Sequence, residues 1–154
     1  MTRVAPFPHR YSVELQGGEL RAPPRAPIVA GAPPQFGGRD QVWSPEELLV
    51  GAALECLWTT FVAYARRDGL EVRDWSGIGI ATLDRGPSGP AFTSIVLTVE
   101  VAVPRGEQER ARRLLASAER HCIISSALRV PVTVEARVVA HDPAPGATRA
   151  LPAT

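Results

Sequence analysis

An α+β fold with an antiparallel sheet is predicted by three features of the sequence. A helix-start signal, Ser44-Pro45-Glu46-Glu47, opens a long apolar run. Two alternating stretches, 72–83 and 92–103, flank a glycine- and proline-rich turn. A second helical spacing and a third alternating stretch then complete the ordered part of the chain. The order hairpin, helix, hairpin, helix, strand belongs to this class.

Taken from the N-terminus, RYSVELQGGELRA predicts a short hairpin about Gly17 and Gly18, because paired glycines supply the positive φ angles of a tight turn. From Ala22 to Val42, where APPRAP and GAPPQFGG concentrate proline and glycine, an irregular and largely extended segment is expected. A helix then runs from Pro45 to Arg67. Ser44 caps it, Pro45 suits its first position, Glu47 completes a capping box, and Arg66, Arg67 and Gly69 mark its end. Its centre, AALECLWTTFVAYA, is apolar nearly all round, which asks for burial inside a fold or an oligomer.

VRDWSGIGIATL and FTSIVLTVEVAV read as two strands joined by DRGPSGPA. In the second strand Ile95, Leu97, Val99, Val101 and Val103 alternate with mainly small or polar residues. A helix is expected from Gly106 to Cys122, with Ala111, Leu114, Leu115, Ala118 and Cys122 on one inward face. PVTVEARVV supplies the last strand, and the Pro- and Ala-rich tail after His141 is expected to hang free. The 154 residues are read as one domain, with 1–42 as hairpin and lead-in, 43–140 as core and 141–154 as tail.

Seventeen basic and sixteen acidic residues give a formal net charge of +1, so electrostatics make no case for nucleic acid or an anionic membrane. The expected ligand is neutral, small or apolar. No apolar stretch is read as long enough to span a bilayer, and MTRVAPFPHR lacks the hydrophobic core of a signal peptide, which places the chain in the cytoplasm. In that reducing compartment Cys56 and Cys122 are not expected to form a standing structural bridge.

Each cysteine is either core filling, the common use of a buried thiol, or a redox or catalytic group. No CxxC or repeated Cys/His spacing occurs, and His9 and His141 lie in the ends of the chain, so no metal site is expected. His121 adjoins Cys122 but points elsewhere on a helix, leaving only the option that it serves Cys56 as the base of a hydrolase. A reactive Cys56 needs its thiolate stabilised. It lies too far along its helix to use that helix's N-terminus, so an arginine from elsewhere is required.

SPEELLVGAALEC resembles the Pro-Glu-Glu-Leu-Leu signature, followed by small residues and a cysteine, of the OsmC/Ohr family of organic hydroperoxide reductases. ERHCIISSAL is similar to that family's second-cysteine motif, usually Cys-Pro-x-Ser-x-Ala-Leu, and PPQFGGRDQVWSPEELL resembles the lead-in of its OsmC-like branch. The likeness spans Phe36 to Val139. It implies an intertwined homodimer in which strongly curved antiparallel sheets enclose long central helices. It also implies a peroxidatic cysteine at Cys56, a resolving cysteine at Cys122 and a catalytic glutamate at Glu46.

The chemistry implied is that of a thiol-dependent peroxidase of the stress response. An arginine held by Glu46 stabilises the Cys56 thiolate, which attacks an organic or fatty-acyl hydroperoxide and releases an alcohol. Cys122 traps the sulfenic acid as a disulfide, and an external dithiol, lipoyl-type in this family, reduces it; no bound cofactor is expected. Glu46 and Cys56 are ten residues apart, about 15 Å along one helix at 1.5 Å per residue. The expectation is therefore a composite site, with Glu46 and the arginine of one chain serving Cys56 of the other.

Arg39 is the candidate arginine, although it lies nearer Glu46 in sequence than in typical members; Arg10, Arg21 and Arg25 are the substitutes. Glu55 replaces a usually small neighbour of the peroxidatic cysteine and is expected to raise its pKa if it lies near the thiol. Ile123 replaces the usual proline. Trp58, Phe61 and Trp43 either line an apolar channel or pack in the core. Two other readings stand beside the peroxidase: a relative that binds a small apolar or electrophilic ligand at the dimer cleft, and the His121 hydrolase.

Overall fold

In the computed structural model, which describes residues 6–141, the chain divides into two units, Met1–Leu48 and Leu49–Thr154. The first unit holds a small antiparallel sheet of β1 (Glu14–Gln16), β2 (Glu19–Arg21) and β3 (Ile28–Val29). The hairpin turns where expected, with Gly17 at φ 59° and Gly18 at φ 81°. The lead-in is more ordered than its composition suggests. A single 3-10 turn spans Pro34–Phe36, and a bridge joins Ala30 to Trp43.

Gly38 fixes this lead-in. A Cβ there would lie 1.6 Å from the Ala32 carbonyl oxygen, so only glycine allows the chain to fold back on itself. The amide of Gly38 donates to Pro33 O at 3.0 Å and that of Arg39 to Ala32 O at 3.2 Å. The pair of glycines thus presents Arg39 from a closed loop.

Helix α1 (Pro45–Asp68) starts at the end of the first unit and continues through the second. Its capping box is complete, with the Ser44 amide donating to Glu47 Oε2 at 2.8 Å and the Glu47 amide donating to Ser44 Oγ at 3.1 Å. At the other end Gly69 adopts φ 70°. The Leu70 amide reaches back to Ala65 O at 2.9 Å and that of Gly69 to Arg66 O at 3.2 Å, the paired bonds of a Schellman stop. By length and composition α1 is apolar enough to cross a bilayer, contrary to expectation. Glu55 interrupts the run without lowering its hydropathy enough to matter, and the core helix of a globular fold can be equally long and apolar. One stripe of α1, Ala53, Leu57, Phe61, Val62 and Ala65, is buried in the core. The opposite stripe, with Gly51, Ala52, Glu55, Thr59 and Ala63, is exposed in the single chain.

The second sheet runs β4 (Asp74–Gly86), β5 (Gly89–Val103), β6 (Val132–Ala140) in that spatial order. The β4–β5 hairpin is longer than DRGPSGPA suggests, because only Pro87 and Ser88 turn and the flanking glycines pair. Pro90 is tolerated inside β5 because β6 pairs with β5 only from Ile95 onward, so the missing N–H has no neighbouring strand to meet. The alternation in β5 holds: Ile95, Leu97, Val99, Val101 and Val103 are all buried.

The sheet is mixed, which corrects the antiparallel expectation. β6 lies parallel to β5, from Ile95 opposite Val132 to Val103 opposite Ala140. Between them the chain crosses back through two helices, α2 (Gln108–His121) and α3 (Ile123–Ala127), and a helical crossover is the connection that makes neighbouring strands parallel. The expected second helix is also shorter, stopping before Cys122, which is extended at φ −66°, ψ 110° and separates α2 from α3. The tail expected to hang free lies outside the described residues.

α1 can approach the sheet because β4 offers no side chain where the helix crosses it. A Cβ on Gly79 would stand 2.4 Å from Val50 Cγ1, and one on Gly77 would stand 2.9 Å from Leu54 Cδ1. Gly79→Ala is expected to cost about 1–3 kcal/mol of stability, the usual penalty for an extra methyl in a packed core. Adding Val50→Ala should recover part of that loss, a coupling that urea unfolding of single and double variants measures. Strictly additive losses would overturn this assignment.

Candidate functional site

The break at Cys122 is what builds the site. Cys122 caps both helices: its amide donates to Glu119 O at 3.4 Å at the end of α2, and its carbonyl accepts from Ser126 at 3.0 Å at the start of α3. Its side chain is 1% exposed, whereas Cys56, on α1, is half-buried. The two thiols lie close enough for each to shift the other's proton affinity. Both are reduced in this structure.

Their electrostatics differ because their neighbours do. Burial pushes the Cys56 thiol up, and the hydrogen bond and charge of Cys122 push the same way, against the backbone N–H groups of Ile124 and Ile123. No cation is among these causes. Cys122 is also penalised first by burial, but the Ser125 hydroxyl, the Cys56 thiol and the amides of Ser125 and Ile124 outweigh this and hold it below the usual thiol range. Ser125 Oγ donates to Cys122 Sγ at 3.2 Å.

Ile123 is 75% exposed at the first position of α3, the place where proline fits without loss. Its side chain is therefore incidental, but unlike proline it brings an N–H that acts on Cys56. Glu55 is exposed and is not among the causes that raise the Cys56 thiol. Consecutive helix residues point in different directions, which explains why adjacency in sequence does not become contact.

His121 is engaged elsewhere. Its ring lies edge-on to Tyr64 with centroids 6.0 Å apart, and its Nδ1 is 2.7 Å from Ser117 O. Tyr64 is eight residues beyond Cys56 on α1, about 12 Å along the axis, so the histidine is not placed as a base for Cys56. Phe61 is core, stacked on Trp75 at 5.5 Å, and Trp58 packs on Trp75 at 4.9 Å. Trp43 is exposed in the first unit. Among the described residues no group of three or more His, Cys, Asp or Glu side chains could hold a metal ion.

Glu46 and Arg39 belong to the first unit. Glu46 sits in the first turn of α1, where one carboxylate oxygen, Oε2, is shielded from solvent and has no hydrogen-bond partner among the described residues. A buried carboxylate oxygen without a donor is costly to leave so. Of the candidate arginines, Arg21 is paired with Glu19 and Arg25 Nη1 donates to Ala22 O at 3.3 Å.

Residues 38–137 match the model of the OsmC-like protein family. The chain belongs to the OsmC-like family. An OsmC-like protein of unknown function from Vibrio cholerae has a TM-score of 0.70 to this chain at 19% identity, covering 77% of this chain and 82% of its own. An organic hydroperoxide resistance protein, OsmC, from Legionella pneumophila gives 0.66 at 21% identity over 85% and 98%. A further organic hydroperoxide resistance protein, from Elizabethkingia anophelis, gives 0.67 at 15% identity over 88% and 100%. At these identities the likeness is one of fold. No curated protein sequence matches the chain.

Sequence reasoning did not find Ser125 or the Ile123 and Ile124 amides. The signal was present: a serine three residues after a helix-capping position is spaced to reach back to it, as Glu47 does to Ser44. Alkylation of Cys56 by iodoacetamide, followed against pH by peptide mass spectrometry, tests both influences on this OsmC-like thiol. In Cys122→Ala the midpoint moves down, because the charge and hydrogen bond that raise it are gone. In Ile123→Pro it moves up, because a donor to the thiolate is removed, while Ile123→Ala keeps the N–H and the midpoint. Shifts in the same direction in both variants would overturn this account.

Proposed function

We propose that the protein is a thiol-dependent peroxidase that reduces organic hydroperoxides to alcohols in the cytoplasm. The observation that carries the reading is the meeting of the Cys56 and Cys122 thiols, one partly exposed and one buried. The Cys56 thiolate attacks a peroxide oxygen and the O–O bond breaks; the alkoxide leaves, takes up a proton and departs as alcohol, and Cys56 becomes a sulfenic acid. The Cys122 sulfur then displaces hydroxide, which leaves as water, and the two cysteines are joined. An external dithiol, lipoyl-type by family resemblance, restores both thiols. An apolar surround favours organic or fatty-acyl hydroperoxides over hydrogen peroxide.

Alone, the chain holds the Cys56 thiol up. Peroxidase chemistry at neutral pH therefore requires a cation, and Arg39, oriented by Glu46, is proposed for that role. The orphan Glu46 oxygen supports it, since a guanidinium would supply the missing donor. A homodimer in which Arg39 and Glu46 of one chain serve Cys56 of the other reconciles this with the ten-residue separation of Glu46 and Cys56 on one helix. The raised thiol also favours a second reading, a binder of a small apolar or electrophilic ligand that never oxidises Cys56.

Stopped-flow mixing with cumene hydroperoxide separates them. The wild type is expected to consume one peroxide as both thiols vanish, and Cys56→Ser to consume none; equal inertness of the two overturns the peroxidase and leaves the binder. Arg39→Ala should slow Cys56 oxidation by about tenfold to a thousandfold, since an opposite charge lowers a pKa by one to three units. Reassorted with Cys56→Ser, it should recover about a quarter of wild-type activity, one working site in half of the dimers. No recovery would refute a site shared between chains.

A further inference from the structure

Resting on the peroxidase reading, we infer an order for the reductive half of the cycle: the dithiol attacks the sulfur of Cys56, Cys122 departs as the thiolate, and the Ser125 hydroxyl holds that leaving group. Three features support this order. Cys122 is 1% exposed, closed in by the ends of α2 and α3, whereas Cys56 is half-buried on α1. Thiol exchange is an in-line displacement, so a reductant that reaches only the outer sulfur expels the inner one. A buried thiolate is costly unless a donor meets it, and Ser125 Oγ lies 3.2 Å from Cys122 Sγ with its proton toward the sulfur. The neighbours of Cys122 also hold its thiol below the usual range, and a lower-pKa thiol leaves faster.

The step balances. A thiolate of the dithiol forms a bond to Cys56 Sγ; the bond between the two protein sulfurs breaks, and its electron pair stays on Cys122 Sγ. The second thiol of the reductant, as thiolate, then attacks the reductant's own sulfur in the mixed disulfide and expels Cys56. The dithiol is oxidised to a cyclic disulfide, the protein disulfide is reduced, and the two protons of the dithiol end on Cys56 and Cys122. Ser125 touches no reductant in this scheme. It is a positioning residue acting through Cys122.

The test forms the disulfide with diamide, so that it does not depend on peroxide. Oxidised wild type is treated with 2-mercaptoethanol, quenched with iodoacetamide in urea so that the buried sulfur is also reached, and mapped by mass spectrometry. The mixed disulfide is expected on Cys56 and the carbamidomethyl group on Cys122. Reduction by excess dithiothreitol is then timed. Ser125→Ala should be about tenfold slower, the loss of one hydrogen bond to a charged sulfur. Ser125→Thr should restore the rate, and Ser126→Ala, whose hydroxyl instead bonds Ile123 O at 2.9 Å, should leave it unchanged. Ser125→Ala should also move the titration of the Cys122 thiol, followed by its 13Cβ NMR shift, upward, which a merely structural change would not do in step with the rate. A mixed disulfide on Cys122, an undiminished rate in Ser125→Ala, or failure of diamide to join the cysteines overturns the inference. Normal exchange in a protein inert to peroxide overturns the peroxidase and leaves the order of exchange standing.

Discussion

The close seating of α1 on its sheet is the constraint on which the thiol pair depends. Two alternate positions of β4 are glycine, and the helix side chains Val50 and Leu54 occupy the space that side chains there would fill. The same strand carries isoleucines at the intervening positions, so GIGI offers a bare face to the helix and an apolar face to the other side. With α1 held at that distance, Leu57 and Phe61 join the buried residues of β5, and Cys56, one residue before Leu57, is set at the margin of the core. A bulkier strand would move the helix outward and carry Cys56 away from Cys122.

The second thiol is placed by a different device. α2 buries Ala111, Leu115 and Ala118 along one stripe, and the next position of that stripe is Cys122. Had the helix continued, the sulfur would have remained one apolar contact among several. Ending α2 there turns the backbone extended and starts α3, so the amides of Ile123 and Ile124 and the hydroxyl of Ser125 collect around the two sulfurs. Far along α1, Tyr64 meets His121 in the same helical register, and the Arg110 guanidinium pairs with Asp68 at 2.5 Å and Glu107 at 3.0 Å. These exposed ion pairs are individually weak, but together with the core they tie the end of α1 to α2.

Much of this was legible in the sequence where a local rule decides the outcome. Ser44 and Glu47 cap α1 as their spacing demands, Gly69 ends it, and Gly17-Gly18 turns the first hairpin. The family was legible from two separated motifs. What escaped depended on partners far away in sequence. Nothing in PVTVEARVV distinguishes a parallel from an antiparallel neighbour; that is set by the crossover before it, and strand, helix, strand was the clue. Pro87 and Pro90 look alike as punctuation, yet only the first turns the chain, since the second sits where β5 has one neighbour. The cysteine pairing came from resemblance rather than from spacing, because a separation of 66 residues carries no local signal of contact.

For the proposed peroxidase, the two thiols present an electrostatic problem whose solution would lie outside the second unit. Burial favours the neutral form of both, but the neighbours of Cys122 hold its thiol down while the Cys56 thiol is held up. A nucleophile at Cys56 therefore needs positive charge, while the carboxylate of Glu46 has a shielded oxygen that needs a donor. One guanidinium answers both needs. The proposal gives that role to Arg39, whose backbone is held on a loop that Gly38 alone permits, brought to the thiol by a second chain. The same dimer would cover the apolar faces the single chain leaves open, Ile78 and Ile80 on β4 and the Gly51-Ala52-Ala63 stripe of α1. If the proposed dimer forms, association and activation would be one event: the Cys56 thiol, held up in the single chain, would gain its cation where hydrophobic burial also gives the chain its partner.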